Sequence, residues 1–164
     1  MNTVDLVNTL REFHRDRLTL RERHVGVARL IVDYDFNNTY QYIIAREDVH
    51  VAWIEAALAD LGAEPDQVPA VELPPRSAKE TITPLISHDA REAEAFVTRW
   101  RPRLADMNNA RHRNLMGVVI GETLEQKRFF DQMLAGREDL LGRRSNGAGS
   151  PGTGDGVMSV RWIE

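Results

Sequence analysis

The chain has 164 residues, 42% hydrophobic and 28% charged, which is enough for one domain with its own core. It contains no cysteine, which excludes a disulfide framework, a thiol nucleophile, an iron–sulfur cluster and Cys-ligated zinc. Any metal would have to be held by carboxylate and imidazole, leaving Fe, Mn or Zn. A formal charge of -4 gives no general attraction to nucleic acid or to an anionic membrane. The start, Met1-Asn2-Thr3-Val4-Asp5-Leu6, does not read as a secretory leader, and no apolar run approaches the roughly 18 residues that span a bilayer. A cytoplasmic protein is expected, with neither nucleic acid nor membrane as partner.

From Thr3 to about Asp33, Leu6, Val7, Leu10, Phe13, Val25, Val27, Ala28, Ile31 and Val32 recur at helical spacing. With Leu10 at zero on the helical wheel, Arg17, Arg21 and His24 fall within roughly 40° of the stripe centre, while Glu22 lies about 120° away. Polar groups therefore point inward, or the arginines run along the stripe and carry their heads out to water. Asp33-Tyr34-Asp35-Phe36-Asn37-Asn38 reads as a turn, with Asp35 or Asn37 capping a second helix that runs to about Leu61 before Gly62. Between Ala63 and Ile86 come Pro65, Pro69, Pro74, Pro75 and Pro84, relieved only by a capping-box pattern at Ser77-Ala78-Lys79-Glu80. A connection of roughly 24 residues is longer than adjacent antiparallel helices need and implies a crossover along a bundle. Ser87 is the expected cap of a third helix carrying Ala93, Phe96, Val97, Trp100, Leu104 and Met107, with a kink or a new start at Pro102. Asn108-Asn109 should turn into a fourth helix from about Ala110 to Ala135, with Leu115, Val118, Val119, Phe129 and Met133 inward and Gly136 closing it, the alternative being one long helix from Pro102 onward.

The whole gives an all-α antiparallel four-helix bundle over residues 1–141, two hairpins joined by the crossover. Residues 142–156 read as a Gly/Ser-rich linker. Within it Gly147-Ala148-Gly149-Ser150-Pro151-Gly152 spells G-x-G-x-x-G, but it follows no strand and opens no helix, so it is no nucleotide loop. Residues 157–164, Val-Met-Ser-Val-Arg-Trp-Ile-Glu, are apolar enough to dock on the bundle or on a second subunit, and a homo-oligomer, a dimer first, is expected.

Chemistry concentrates in the second helix. With Glu47 at zero, Phe36, Tyr40, Ile43, His50, Ile54, Leu58 and Leu61 lie within roughly 60° of it, so Glu47 and His50 sit mid-stripe, where charge is costly unless paired or metal-bound. A hairpin turning near Asp35 brings Glu47 beside Arg21 and His24 of the first helix. On the fourth helix Glu122 takes the stripe centre, with Glu125 about 60° and Gln126 about 40° away. His14, His88 and His112 are single histidines, expected at surface or capping positions, and no serine-nucleophile elbow exists.

Over Leu6 to Leu134 this chain resembles the ferritin-like superfamily, the bacterioferritin and rubrerythrin groups included. Glu47-Asp48-Val49-His50 carries the resemblance as the family's Glu-x-x-His, and Glu122-Thr123-Leu124-Glu125 stands where a second would be, with glutamate in place of histidine. The resemblance implies an iron or manganese site reacting with oxygen or peroxide, its ligands drawn from Glu47, His50, Glu122 and Glu125 with Glu22 or His24 and Glu92 or Glu94. The inward arginines carry the other reading: Arg21 or Arg17 neutralises Glu47 and Glu122 as buried ion pairs in a metal-free structural or interaction protein. Both readings stand at this point.

Overall fold

The computed structural model describes residues 2–73, 81–137 and 140–141. Within them the elements are α1 (Thr3–Ala28), α2 (Tyr34–Asp60), α3 (Thr83–Trp100), a 3-10 turn (Pro102–Leu104) and α4 (Ala110–Leu134). The capping-box pattern at Ser77-Ala78-Lys79-Glu80, the linker and the octapeptide 157–164 lie outside the described residues.

Short polar side chains set the helix starts. Asn2 and Asp5 form a capping box on α1, Asp33 accepts the Phe36 amide at 2.9 Å, and Asn109 accepts the His112 amide at 3.1 Å. The α2 cap is thus Asp33 rather than Asp35 or Asn37, because α1 stops at Ala28 and leaves the turn five residues earlier than its apolar pattern suggests. Ser87 caps nothing; α3 starts at Thr83 with Pro84 in its first turn, where a missing N–H costs no bond. Gly62 and Gly136 end α2 and α4 with φ of 69° and 77°, the left-handed geometry that glycine adopts without strain.

Every adjacent helix pair is antiparallel. His14 meets Glu55 and His24 meets Glu47 across α1 and α2; Arg23 meets Asp89 and Asp16 meets Trp100 across α1 and α3. Across α2 and α4, Tyr42 meets Phe129 and Arg46 meets Glu122. The crossover makes this arrangement possible by running back along α1: Arg11 donates to the Glu64 carbonyl at 2.9 Å, and further along Leu73 covers Gly26. A Cβ on Gly26 would come within 2.7 Å of Leu73 Cδ1, so the glycine is where the crossover lies closest to the helix.

The inward residues step alternately by three and four. On α1 they are Leu6, Leu10, Phe13, Arg17, Leu20, His24 and Val27; on α2, Tyr40, Ile43, Glu47, His50, Ile54 and Ala57; on α4, His112, Met116, Val119, Thr123, Gln126, Phe130 and Met133. All are buried. Two apolar clusters occupy the ends of the bundle: Leu10, Phe13, Ile54, Trp100 and Met116 at one, Val27, Tyr40, Ile43, Ile86 and Phe130 at the other. Between them the stripes carry Arg17, His24, Glu47, His50, Thr123 and Gln126. Val118, expected inward, is 48% exposed, one step off the α4 repeat.

Candidate functional site

The polar middle layer is built around Arg17. Its side chain is fully buried, and its guanidinium donates to Glu47 Oε1, to Thr123 Oγ1 at 2.8 Å and to Gln126 Oε1 at 3.0 Å. Phe96 of α3 closes the fourth side, its ring centroid 5.4 Å from the guanidinium carbon. Burial lowers the Arg17 pKa to about 9, which leaves it cationic at neutral pH. Glu47 is also fully buried; its two oxygens lie 2.8 and 3.0 Å from His24 Nδ1. Burial first, then the positive charges of Arg17 and Arg23, hold His24 well below the usual imidazole range, so it is neutral. A carboxylate can only accept, so His24 carries its proton on Nδ1 and presents a bare Nε2.

Glu122 belongs to a second, outer group. It is half-buried, not central, and receives Arg46 Nη2 at 2.6 Å, Arg46 Nε at 2.9 Å and His50 Nε2 at 2.8 Å. The Arg46 hydrogen bond is the main cause holding the Glu122 carboxyl below its ordinary range. His50 is buried and pulled down to about 4, mainly by desolvation and then by Arg17, against the favourable contact with Glu122. A third group joins three helices nearby: buried Asp89 accepts Tyr40 Oη at 2.5 Å and Arg23 Nε at 2.6 Å. Burial raises the Asp89 pKa, and burial with the neighbouring Asp89 charge raises that of Tyr40 well above the phenol range.

Of the residues singled out from the sequence, Glu47, His24, His50 and Glu122 lie in this layer, but as two separate pairs, Glu47 with His24 and Glu122 with His50. Glu125, Glu22 and Glu94 do not join them. Glu125 is exposed and bonded to Arg128, Glu22 pairs with Arg21 at 2.6 Å, and Glu94 is exposed on α3. Arg21 is not the inward guanidinium: it bridges Glu22 and Asp48 at the α1–α2 seam, the Asp48 contact at 2.8 Å. From the sequence, Thr123, Asp89 and Arg46 carry no role and Gln126 lies about 40° from the stripe centre; the alternating step of three and four on α4 is the signal that selects Thr123 and Gln126 over Glu122 and Glu125.

The architecture defines a class, the ferritin-like four-helix bundle with a crossover between its hairpins. A solved structure of that kind, a ferritin-like diiron-carboxylate protein from Bacillus anthracis str. Ames, aligns with a TM-score of 0.64 over 82% of this chain and 99% of that chain. Identity is 15%, so the likeness is one of fold. No protein-family model matches this chain, and no curated protein matches it either.

The residues of the middle layer do not fit a two-metal carboxylate site. Such a site in this fold takes one Glu from each of two helices and Glu-x-x-His from each of the other two. The inward positions here offer Arg17 and His24 on α1, Glu47 and His50 on α2, Asp89 and Phe96 on α3, and Thr123 and Gln126 on α4. Only α2 keeps its Glu-x-x-His; α1 brings His24 in place of a glutamate, and the one inward acid of α3, Asp89, is bonded to Arg23 and Tyr40. Arg17 neutralises Glu47 and Arg46 neutralises Glu122, so an incoming dication would meet two satisfied carboxylates and a fixed positive charge. Among the described residues no three His, Asp or Glu side chains converge in a metal-binding geometry.

Proposed function

We propose that this protein is a ferritin-like bundle working without metal, as a structural or interaction protein whose inward acids are held by guanidinium groups. The observation carrying this reading is the buried Arg17, bonded at once to Glu47 of α2 and to Thr123 and Gln126 of α4. A tethered monocation links the hairpins where ferritin-like metalloproteins would use ions. The guanidinium cannot dissociate and does not change charge at neutral pH, so the layer has a fixed composition. Intracellular location and self-association complete the proposal, supported by the absence of cysteine and, outside the α2–α4 seam, by the exposed apolar residues Val4 and Leu124.

Iron or manganese is the competing reading, favoured by the retained Glu47-x-x-His50 and by the bare Nε2 of His24. Elemental analysis separates the two. Protein purified without chelator, incubated anaerobically with excess Fe(II) or Mn(II) and desalted, should carry far less than one metal per chain. Near-stoichiometric retention, lost in Glu47→Ala, would overturn the metal-free reading.

A further inference from the structure

The face where α2 and α4 meet leaves large apolar side chains open, Tyr42 at 45% exposed among them. Two contiguous depressions, about 720 and 590 Å³, follow it. The first is lined by Gln41, Tyr42, Phe129, Leu140 and Leu141, and the second continues from Tyr42 and Phe129 to Arg46 and Glu122. Beyond Glu122, Trp53, in ring contact with His50, is 40% exposed, and Val118, which also borders a depression beside Leu104 and Gly117, is 48% exposed. From Asn38 to Trp53 the groove follows about four turns of α2, roughly 22 Å at 1.5 Å per residue. Aromatic rings stand toward both ends, and the central charges, Arg46 with Glu122 and Arg128 with Glu125, are mutually paired.

The position of Leu140 and Leu141 indicates what covers it. After Gly136 reverses the chain, these two leucines pack beside Phe129 at the mouth of the groove, so the residues that follow start there. The sequence then gives a Gly/Ser-rich stretch, 142–156, and the apolar octapeptide 157–164. By composition alone, a Gly/Ser-rich linker of that length has a root-mean-square span of about 21 Å, long enough to reach any point along the groove. Eight extended residues cover about 26 Å, close to the groove's own length. In extended form Met158, Val160 and Trp162 share one face, a matching apolar strip with few charges to desolvate.

We propose that residues 157–164 dock along the α2–α4 groove of their own chain, with Met158, Val160 and Trp162 against Tyr42, Val118 and Trp53. Docking covers the Arg46–Glu122 pair, the most exposed part of the polar layer, and does not depend on whether the layer binds metal. The chain has no cysteine, so two can be introduced without background. Gly121 on α4 suits one label, since a Cβ there meets nothing within 4 Å; Ser159 suits the other, on the opposite face of the strip. Pulsed electron resonance between nitroxides on the full-length Gly121→Cys/Ser159→Cys protein should give one narrow distance distribution, shorter than the groove. That distribution should survive tenfold dilution with unlabelled chain and broaden when Val118→Glu and Tyr42→Glu are added, circular dichroism staying unchanged. A broad, long distribution in the parent protein overturns the proposal, as does insensitivity to the groove substitutions. Loss of the short distance on dilution also overturns it, by assigning the groove to the octapeptide of a second copy.

Discussion

Arg17 and Glu47 meet at the centre of the bundle with both side chains fully withdrawn from solvent, the guanidinium bonded directly to the carboxylate. Neither group would be tolerated alone at that depth. Removing one partner leaves the other as an uncompensated buried charge, whereas replacing both with apolar groups of similar volume is often close to neutral. Arg17→Met and Glu47→Leu should therefore each cost about 3–5 kcal/mol, and the double variant far less than the sum. Urea denaturation of the four proteins checks this. Additive costs would mean that the two side chains do not act as a pair.

Two histidines of the layer are buried neutral, which makes stability depend on pH. His50 titrates near 4 in the folded chain, below the usual imidazole value near 6.5, and His24 lies well below that value as well. Between those limits the unfolded chain binds the extra proton, so stability falls as pH is lowered from about 6.5 toward 4, by up to about 1.4 kcal/mol per pH unit for each such histidine. His50 alone accounts for up to about 3 kcal/mol over that window. Glu122, held below the carboxylate range, adds loss of stability at still lower pH. Urea midpoints between pH 7.5 and 4 should decline, and His50→Gln should flatten the decline. A midpoint constant down to pH 4.5 would contradict the buried neutral imidazoles.

Asp89 ties α1, α2 and α3 together through Arg23 and Tyr40. Tyr40→Phe removes one of its two donors and keeps the ring packing against Phe130, so the expected cost is about 1–3 kcal/mol. Asp89→Ala removes the acceptor shared by Arg23 and the buried phenol and should cost more, about 3–5 kcal/mol. Thermal and chemical melts rank the two. Equal, small effects would show that the cluster is solvated in practice.

Gly26 tests the path of the crossover. Alanine has the better helix propensity by about 1 kcal/mol, yet its methyl would press on Leu73. Gly26→Ala alone should gain nothing or destabilise slightly, while in a Leu73→Ala background the same change should stabilise by roughly 0.5–1 kcal/mol. If Gly26→Ala stabilises equally in both backgrounds, Leu73 does not lie on α1.

The architecture was largely readable because helix periodicity, Gly62, Gly136 and Asn109 are local signals, and the proline-rich connection allows few packings. The site was readable in part. Glu47 and His50 stand in the α2 stripe whichever wheel origin is used, and the hairpin register brings His24 to Glu47 as expected. Arg17 and Arg21 fall in one arc of a wheel that turns 100° per residue, and only the seven-residue spacing of Leu10, Arg17 and His24 separates them. The same ambiguity put Glu122 at the centre of α4 in place of Thr123. A one-residue error there is a rotation of about 100°, enough to exchange a buried hydroxyl for a half-exposed carboxylate. Asp89 was missed because an acid beside His88 reads as a solvated surface, and its partners, Arg23 and Tyr40, come from two other helices.

The central claim is that a side chain, not an ion, occupies the space beside Glu47. Crystals grown with excess Fe(II), with diffraction recorded on both sides of the iron absorption edge, test it most directly. The expected result is no anomalous peak within coordination distance of Glu47 or Glu122, and guanidinium density from Arg17 against the Glu47 carboxylate. An iron peak between Glu47 and His50, with Arg17 displaced from the layer, would contradict it.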